Sequence, residues 1–195
     1  MRYGSEHKQE TRRKILDIAG KRFRKEGVEA VGVASLMADC GLTHGGFYAH
    51  FKSKDELVAA ALDQGMRDSS DRIFAHADQS EDRIGAYIRA YLSPRHRDAS
   101  EAGCTFAALS AELARRTDPA RETLNRALEP YIDRIGRLLQ TTDPASARRQ
   151  ATALFSLLMG SLQLARLTSD RGLSDSILES GVKAALDLVT VFQGA

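Results

Sequence analysis

Apolar residues recur every three or four positions along most of the chain, and this spacing predicts helices. The alternation of apolar and polar residues that marks a half-buried strand is almost absent. The first helix is predicted over residues 6–26, where Gly27 would end it. Its buried stripe consists of Ile15, Leu16, Ile18, Ala19 and Phe23. Its exposed surface is predicted to carry Arg12, Arg13, Lys14, Lys21, Arg22, Arg24 and Lys25.

Three further helices are predicted before residue 78. A short one covers 33–39, and the next opens at Thr43 as N-cap and ends near Phe51. Ser53 then caps a long helix that reaches about Ala77, and Glu56 completes a capping box. Two short helices joined by a tight glycine turn form the helix-turn-helix shape, although a plain helical hairpin has the same outline.

The rest of the chain predicts five more helices, which makes about nine in an all-α fold. Pro119 and Pro144 begin two of them, with Asp118 and Asp143 as caps. The five predicted ranges are 81–92, 99–116, 119–140, 144–168 and 174–192.

Composition agrees with an ordinary globular protein, and charge adds one distinction. Among the 195 residues, 43% are hydrophobic and 28% are charged, and no apolar run approaches a membrane span. The N-terminal segment lacks a signal peptide's apolar core, and two cysteines make no disulfide framework, so we expect a reduced, cytoplasmic protein without a membrane partner. Residues 1–55 hold eleven Lys and Arg against seven Asp and Glu, whereas the remainder is slightly acidic. This asymmetry favours a polyanionic partner for the front, although a solvated charged surface would look the same.

The stretch GLTHGGFYAHFKSK, residues 41–54, carries the candidate chemistry. Two adjacent glycines each cost a helix about 1 kcal/mol relative to alanine, a cost that is reasonable where another backbone must come close. A helix that enters the major groove reads bases with its N-terminal residues. We therefore assign base or groove contacts to Thr43, His44, Gly45 and Gly46. Phosphate contacts are assigned to Tyr48, His50, Lys52 and Lys54, with packing as the alternative for Tyr48 and His50. Phe47 and Phe51 are assigned to the core.

The same stretch resembles the DNA-binding signature of the TetR family of transcriptional regulators. The resemblance covers about residues 8–60 and rests on Tyr-x-His-Phe followed by Ser-Lys-x-x-Leu, which here is residues 48–57. It implies groove contacts for Thr43, His44 and Gly45, and phosphate contacts for Tyr48, His50 and Lys54. His44 and Gly46 depart from the residues usual in the family, so base preference does not carry over. Cys40 replaces a common alanine, and we expect it to be a buried packing residue.

The resemblance further implies a helix-turn-helix domain over 1–52 and an effector-binding and dimerisation domain over 53–195. The sequence supports dimerisation independently, because the helix predicted at 144–168 is apolar on two faces. One face holds Ala151, Leu154, Phe155, Leu158 and Leu162; the other holds Ala153, Leu157, Gly160, Ser161 and Leu164. Small residues at Gly160, Ser161, Gly181 and Ala184 would allow close crossing in a four-helix dimer interface, whereas burial within one chain is the alternative.

A cavity between helices would bind a small effector through apolar residues and a few polar ones. The candidates for its lining are Tyr87, Tyr91, Cys104, Phe106, Tyr131, Phe155, Met159, Gln163 and Arg166. Ordinary core packing is the alternative for most of them. For Arg166 the alternative is a favourable interaction of its charge with the C-terminal end of its own helix dipole. Cys104 follows Gly103 at an apparent helix N-terminus, which would favour a thiolate. Cys104 could therefore sense oxidants or electrophiles, and the alternative is a packing residue without a chemical role.

No catalytic motif, metal-ligand spacing or cofactor motif emerges, so we expect neither an enzyme nor a cofactor. The expected function is a dimeric repressor that a small molecule releases from a palindromic DNA operator. A helical protein-interaction module is the competing hypothesis, and it leaves the basic first helix unexplained.

Overall fold

The computed structural model describes residues 2–117, 119–141 and 143–194, with side chains for 6–117, 119–141 and 143–192. These residues form nine α-helices and two short 3-10 helices, with no strand among them, so the predicted all-α class is confirmed. The α-helices are α1 (Arg2–Glu26), α2 (Val33–Asp39), α3 (Lys54–Asp78), α4 (Arg83–Tyr91), α5 (Pro94–Asp98), α6 (Thr105–Leu113), α7 (Pro119–Gly136), α8 (Pro144–Leu167) and α9 (Arg171–Gly194). The 3-10 helices are His44–Ala49 and Ser100–Ala102.

The chain groups into two compact units, and each is described by itself. The first unit comprises Met1–Ser69 and Glu101–Arg126, so it contains α1, α2 and α6 together. The second comprises Ser70–Ser100 and Ala127–Ala195, with α4, α5, α8 and α9. This grouping by contact differs from the predicted boundary between residues 52 and 53, which stays a prediction.

The core of the first unit follows the apolar stripes of α1 and α3. Ile15, Ala19 and Phe23 of α1 are almost fully buried. Five apolar residues of α3 are buried as well, namely Leu57, Val58, Ala61, Leu62 and Met66. Cys40 is 2% exposed, as expected for a packing cysteine. Burial raises the pKa of its thiol, so it stays protonated at neutral pH.

Arg24 was expected on the surface of α1, and this prediction is wrong. Its side chain is buried, and Nε donates to the carbonyl oxygen of Glu101 at 2.7 Å. Gly65 of α3 makes the space, because a Cβ there would lie 2.4 Å from Nη1 of Arg24. A long basic side chain can therefore cross α3 and reach a backbone acceptor 77 positions away in sequence.

Local capping explains where the later helices depart from the predicted ranges. Ser93 accepts from the backbone N–H of His96 ahead of Pro94, which makes α5, a helix that the sequence analysis missed. The helix predicted at 99–116 is instead a 3-10 turn followed by α6, because Cys104 has an extended backbone and serves as N-cap. Asp143 accepts from the backbone N–H groups of Ala145 and Ser146, as predicted, whereas Asp118 lies outside the described residues.

Helices α8 and α9 pack closely within the second unit. A Cβ on Gly181 would lie 2.7 Å from Oγ of Ser161 and 2.9 Å from Cδ1 of Leu92. Gly181 and Ser161 therefore allow α8 and α9 of one chain to cross closely, and their part in a four-helix dimer interface stays a prediction. Gly160 and Ala184 remain exposed.

Candidate nucleic-acid interface

The turn between α2 and the 3-10 helix His44–Ala49 is a closed network of backbone hydrogen bonds. Cys40 ends α2, and the backbone N–H of Leu42 donates to the carbonyl of Met37 at 2.9 Å. Gly41 has φ of 73°, in the left-handed region that favours glycine. Nothing lies within 4 Å of a Cβ built at Gly41, so the turn requires its backbone conformation rather than its small size.

Thr43 caps the next helix, as predicted, but that helix is of the 3-10 type and shorter than expected. The hydroxyl of Thr43 accepts from the backbone N–H of Gly46 at 3.3 Å. The helix covers His44–Ala49, and His50 is its C-cap. Two glycines in six residues weaken any α-helix, and 3-10 geometry is common in such short pieces.

Phe47 of the 3-10 helix and Phe51 just beyond it point inward, whereas other residues of the helix face solvent. Phe47 and Phe51 are 2% and 1% exposed and stack with ring centroids 5.6 Å apart, which confirms their assignment to the core. His44, Gly45 and Tyr48 are exposed, and the Tyr48 ring rests edge-on against Phe47 at 5.3 Å. The structure thus brings the candidate groove-facing residues together on one surface.

The two glycines are not required by packing inside the chain. A Cβ at Gly45 would meet nothing within 4 Å. A Cβ at Gly46 would make ordinary contacts, 3.6 Å from Oγ1 of Thr43 and 3.9 Å from Cε of Met37. Since helix propensity disfavours both glycines, the fold itself gives no reason for them.

The candidate phosphate ligands follow directly, around the start of α3. Lys52 is exposed and Lys54 is half-buried. The Ser53 hydroxyl accepts from the backbone N–H of Glu56 at 3.1 Å, and the Glu56 carboxylate accepts from that of Lys52 at 2.8 Å. The predicted capping box is therefore present in modified form, because Glu56 reaches one residue further back than the cap.

His50 differs from the lysines in its protonation. Burial lowers the pKa of its imidazole, and the positive charges of Lys8 and Arg12 lower it further. Since the ordinary histidine pKa already lies below 7, the ring is neutral at physiological pH. Its Nδ1 atom is buried and has no hydrogen-bond partner among the described residues. His50 can therefore offer a phosphate one N–H donor but no charge.

Basic residues of α1 bind the helix-turn-helix rather than only facing solvent. Lys14 donates from Nζ to the carbonyl of Cys40 at 2.9 Å, and Arg22 binds Asp39 at 2.9 Å. Arg12 donates to the carbonyl of His50 and lies over the Phe51 ring at 4.1 Å. The sequence analysis counted these residues only as surface charge.

The aromatic candidates for the effector site cluster within the second unit. Tyr87, Tyr91, Tyr131 and Phe155 are all buried, and the Tyr87 and Tyr131 hydroxyls lie 3.2 Å apart. The Phe155 ring lies 4.9 Å from that of Tyr131 and 6.0 Å from that of Tyr91. These four positions therefore share one aromatic cluster.

The three remaining candidates of the second unit lie on α8 and are less buried. Met159 is half-buried and Gln163 is exposed. Arg166 is half-buried and donates to the carbonyls of His96 and Arg97 at 2.7 and 3.2 Å. These carbonyls belong to α5, so Arg166 holds that short helix in place.

Cys104 and Phe106 belong to the first unit. Cys104 is 1% exposed at the start of α6, and Phe106 is 4% exposed. A reagent in solvent cannot reach the Cys104 thiol without local opening of the fold. The structure therefore groups the nine effector candidates in two units rather than in one.

The helix-turn-helix matches a known family. Residues 15–61 match the model described as "Bacterial regulatory proteins, tetR family", and residues 80–180 match "Tetracyclin repressor-like, C-terminal domain". Together these matches span most of the chain. The chain belongs to the TetR family of transcriptional regulators.

Individual TetR-family members are similar along nearly the whole chain. The transcriptional regulator TtgR of Pseudomonas putida is 27% identical, over 97% of this chain and 96% of TtgR. The transcriptional repressor NemR of Escherichia coli is 23% identical over 82% of this chain and 85% of NemR. A TetR transcriptional regulator from Chloroflexus aurantiacus has a solved structure with a TM-score of 0.79 and 23% identity, covering 95% of this chain and 96% of that one. The last likeness concerns the fold alone.

Membership of the TetR family makes this chain a DNA-binding transcriptional regulator, and its relatives are regulators rather than enzymes. In the described ranges, no helix is long and apolar enough to cross a membrane, and no three His, Cys, Asp or Glu side chains are grouped to hold a metal ion. The interaction-module hypothesis loses its basis, because this family binds DNA.

The sequence analysis missed a contact between α6 and the turn that precedes α2. The Glu112 carboxylate accepts from the backbone N–H groups of Val28 and Glu29, at 3.0 to 3.1 Å. Gly27, with φ of 88°, leaves room for it, because a Cβ there would lie 2.9 Å from Oε2 of Glu112. Gly27 was the available signal, but nothing in the pattern pointed to a carboxylate 84 residues beyond Val28.

Proposed function

We propose that this TetR-family chain is a homodimeric repressor whose 3-10 helix His44–Ala49 enters the major groove of a palindromic operator. The observation that carries the proposal is the pair of glycines at Gly45 and Gly46. The fold has room for a Cβ at both positions, and glycine there lowers helix stability relative to alanine. A DNA surface that approaches the helix backbone would account for both glycines.

The proposed division of labour follows exposure and chemistry. Thr43, His44, Gly45 and Gly46 line the N-terminal, groove-facing part of the helix, and His44 is the exposed side chain with ring donors and acceptors for base edges. Phosphate contacts are proposed for Tyr48, His50, Lys52 and Lys54. The two lysines supply charge, whereas Tyr48 and the neutral His50 supply hydrogen bonds.

Dimerisation through α8 and α9 is proposed from the second apolar stripe of α8. The stripe Ala151, Leu154, Phe155, Leu158 and Leu162 is buried in the chain's own core. On the other stripe, Ala153, Gly160 and Leu164 are exposed, and Leu167 extends it with 82% exposure. A second copy of the chain would cover this face, and a twofold dimer is what a pair of reading helices needs to meet two half-sites.

A small-molecule effector is proposed to bind among the aromatic residues of the second unit and to release the operator. It must bind the DNA-incompetent conformation more tightly, since a ligand without preference shifts nothing. Helix α3 contributes Lys54–Ser69 to the first unit and Ser70–Asp78 to the second, so we propose α3 as the transmitter. Repression is proposed because the relative NemR is described as a transcriptional repressor.

The redox-sensing alternative stays a prediction centred on Cys104. A crystal structure described as the reduced form of NemR has a TM-score of 0.73 to this chain at 21% identity, which concerns the fold alone. The 1% exposure of Cys104 argues for quiet packing. Alkylation of the native protein, followed by measurement of DNA affinity, would support sensing only if modification of Cys104 releases DNA.

Selection from a random DNA pool at moderate salt tests the proposal. We expect enrichment of an inverted repeat whose half-site centres lie about 34–36 Å apart or a multiple of that. In a Gly45→Leu variant, folding should be retained while binding to the enriched duplex is lost, because the side chain fills the approach to the backbone. The matched control is Ala111→Leu, at an exposed position of α6 in the same unit, and it should bind normally. Undiminished binding by Gly45→Leu would contradict the proposed docking.

A further inference from the structure

The His44–Ala49 helix has few means of holding its own orientation. It is a six-residue 3-10 helix with two glycines, and Phe47 is the one of its four side chains that is buried. Thr43 fixes its beginning through the hydrogen bond to Gly46. At its end, the backbone N–H groups of His50 and Phe51 donate to the carbonyl of Phe47 at 2.9 and 3.0 Å. Because short 3-10 segments are intrinsically weak, we expect contacts from other helices to add to this support.

The guanidinium of Arg12 makes three contacts at that end. It donates to the carbonyl of His50, the C-cap residue, whose backbone oxygen the ending helix leaves open. Its Cζ atom lies over the buried Phe51 ring, 4.1 Å from the ring centroid. Its Nη2 atom lies 3.7 Å from Oε1 of Glu56.

Glu56 extends this network to the link between the two helices. While Oε1 faces Arg12, Oε2 accepts from the backbone N–H of Lys52 at 2.8 Å. Arg12 of α1 and Glu56 of α3 therefore hold the whole segment from His50 to Lys52. Only arginine combines a fork of N–H donors with a plane that stacks on an aromatic ring, so lysine cannot replace it here.

We propose that Arg12 is a positioning residue for DNA recognition, which fixes the reading helix against the core through His50, Phe51 and Glu56. The proposal rests on the proposed function of the His44–Ala49 helix. Arg12 acts through that helix, so its guanidinium is committed to the protein and neutralises no phosphate. The competing role for a basic α1 residue is direct phosphate binding, and the two roles predict different salt dependence.

The first test is independent of DNA. Amide hydrogen exchange in Arg12→Lys should accelerate about tenfold or more at His50, Phe51 and Lys52, because their support is lost. Exchange at Cys40 and Gly41, in the turn before the reading helix, should stay as in the wild-type chain. Unchanged exchange at residues 50–52 would overturn the proposal, and so would equal acceleration at every amide, which marks general destabilisation.

The second test measures affinity for the duplex enriched from the random pool and for a scrambled duplex of equal length. Arg12→Lys and Arg12→Met should both bind the enriched duplex about tenfold more weakly, with little change for the scrambled one. The slope of log affinity against log salt should stay that of the wild-type chain. A slope reduced by about 0.9 in Arg12→Met, with normal binding by Arg12→Lys, would identify a phosphate contact and overturn the proposal.

Arg13 supplies the matched control, since it is the exposed neighbour with the same charge. Arg13→Lys should leave both the exchange rates at residues 50–52 and the ratio of specific to scrambled binding unchanged. If the wild-type chain enriches no duplex, the proposed function fails, while the exchange experiment still decides the role of Arg12.

Discussion

At the residue scale, substitution of Lys54 tests whether this lysine binds a DNA phosphate. The Lys54→Gln variant should bind enriched and scrambled duplexes more weakly by a similar factor, since phosphate contacts carry no sequence information. Its salt slope should fall by about 0.9, the value for one phosphate. The control is Lys183→Gln, which removes the same charge from a lysine paired with Asp187 on α9 and should leave the slope unchanged. A weaker affinity of Lys54→Gln for the enriched duplex alone would indicate base readout instead.

His96 makes stability depend on pH. Burial lowers the pKa of its imidazole to about 4, partly opposed by the contact of Nδ1 with the Tyr91 carbonyl at 2.6 Å, and the charge of Arg166 lowers it further. An unfolded chain would titrate His96 near pH 6.5. Above pH 6.5 the folded state keeps its full advantage, and the advantage is lost as pH falls from 6.5 to 4. The free energy of unfolding should drop by about 1.4 kcal/mol per pH unit in that window through His96 alone.

Urea titrations at pH 7.5, 5.5 and 4.5 measure this dependence. The His96→Gln variant has no titrating ring at that position, so its free energy of unfolding should change less between pH 7.5 and 4.5 than that of the wild-type chain. The carboxylates of the chain titrate in both proteins and cancel in the comparison. Identical pH dependence in the two proteins would show that His96 is not held neutral by the fold.

The burial and contacts of individual side chains could be predicted from sequence only where they depend on near neighbours in the chain. Thr43, Phe47 and Phe51 were predicted correctly, because capping and aromatic burial depend on near neighbours in sequence. Arg24 was predicted wrongly, because its burial depends on the space at Gly65 and on a carbonyl far along the chain. Arg12 was counted as surface charge for the same reason. Periodicity indicates which face of a helix is apolar, but it cannot indicate where a long charged side chain ends.

At the element scale, α6 stabilises the turn between α1 and α2. The Glu112→Gln variant should lower the free energy of unfolding by about 1.5–3 kcal/mol, because a charged acceptor for three short N–H contacts becomes a neutral amide with one acceptor oxygen. Urea titration at pH 7.5 measures the loss. The control is Glu122→Gln on α7, where the exposed carboxylate lies 3.8 Å from Arg126 and should contribute less than about 0.5 kcal/mol. Equal losses in the two variants would contradict the role of Glu112.

Helix boundaries show the same division between local and distant causes. The bounds of α2 were predicted to the residue, since Gly32 and Cys40 flank a clear apolar pair, Leu36 and Met37. Helix α5 was missed although Ser93 and Pro94 are a proper cap and first residue, because five residues are too few to show a period. The nine effector candidates could not be grouped from sequence, since their division between two units depends on tertiary packing.

At the scale of the whole molecule, substitutions at Gly160 distinguish a dimer interface on α8 from burial of α8 within one chain. It lies on the exposed stripe of α8, and a Cβ there would meet nothing within 4 Å of its own chain. In a monomer, Gly160→Ala should therefore raise the free energy of unfolding by about 0.5–1 kcal/mol through helix propensity. If α8 crosses the partner's helices closely, a larger side chain must instead separate them.

The Gly160→Leu variant should thus keep its helical circular dichroism and raise the dimer dissociation constant at least about tenfold in sedimentation equilibrium, by overpacking an interface of interior density. The control is Asn125→Leu, an equally exposed position on α7, which should dimerise normally. Because one reading helix meets only half a palindrome, Gly160→Leu should also lose cooperative binding to the enriched duplex while retaining weak binding to a single half-site. A variant that stays a dimer of unchanged affinity would place the interface elsewhere, and the exposed stripe of α8 would then need another partner.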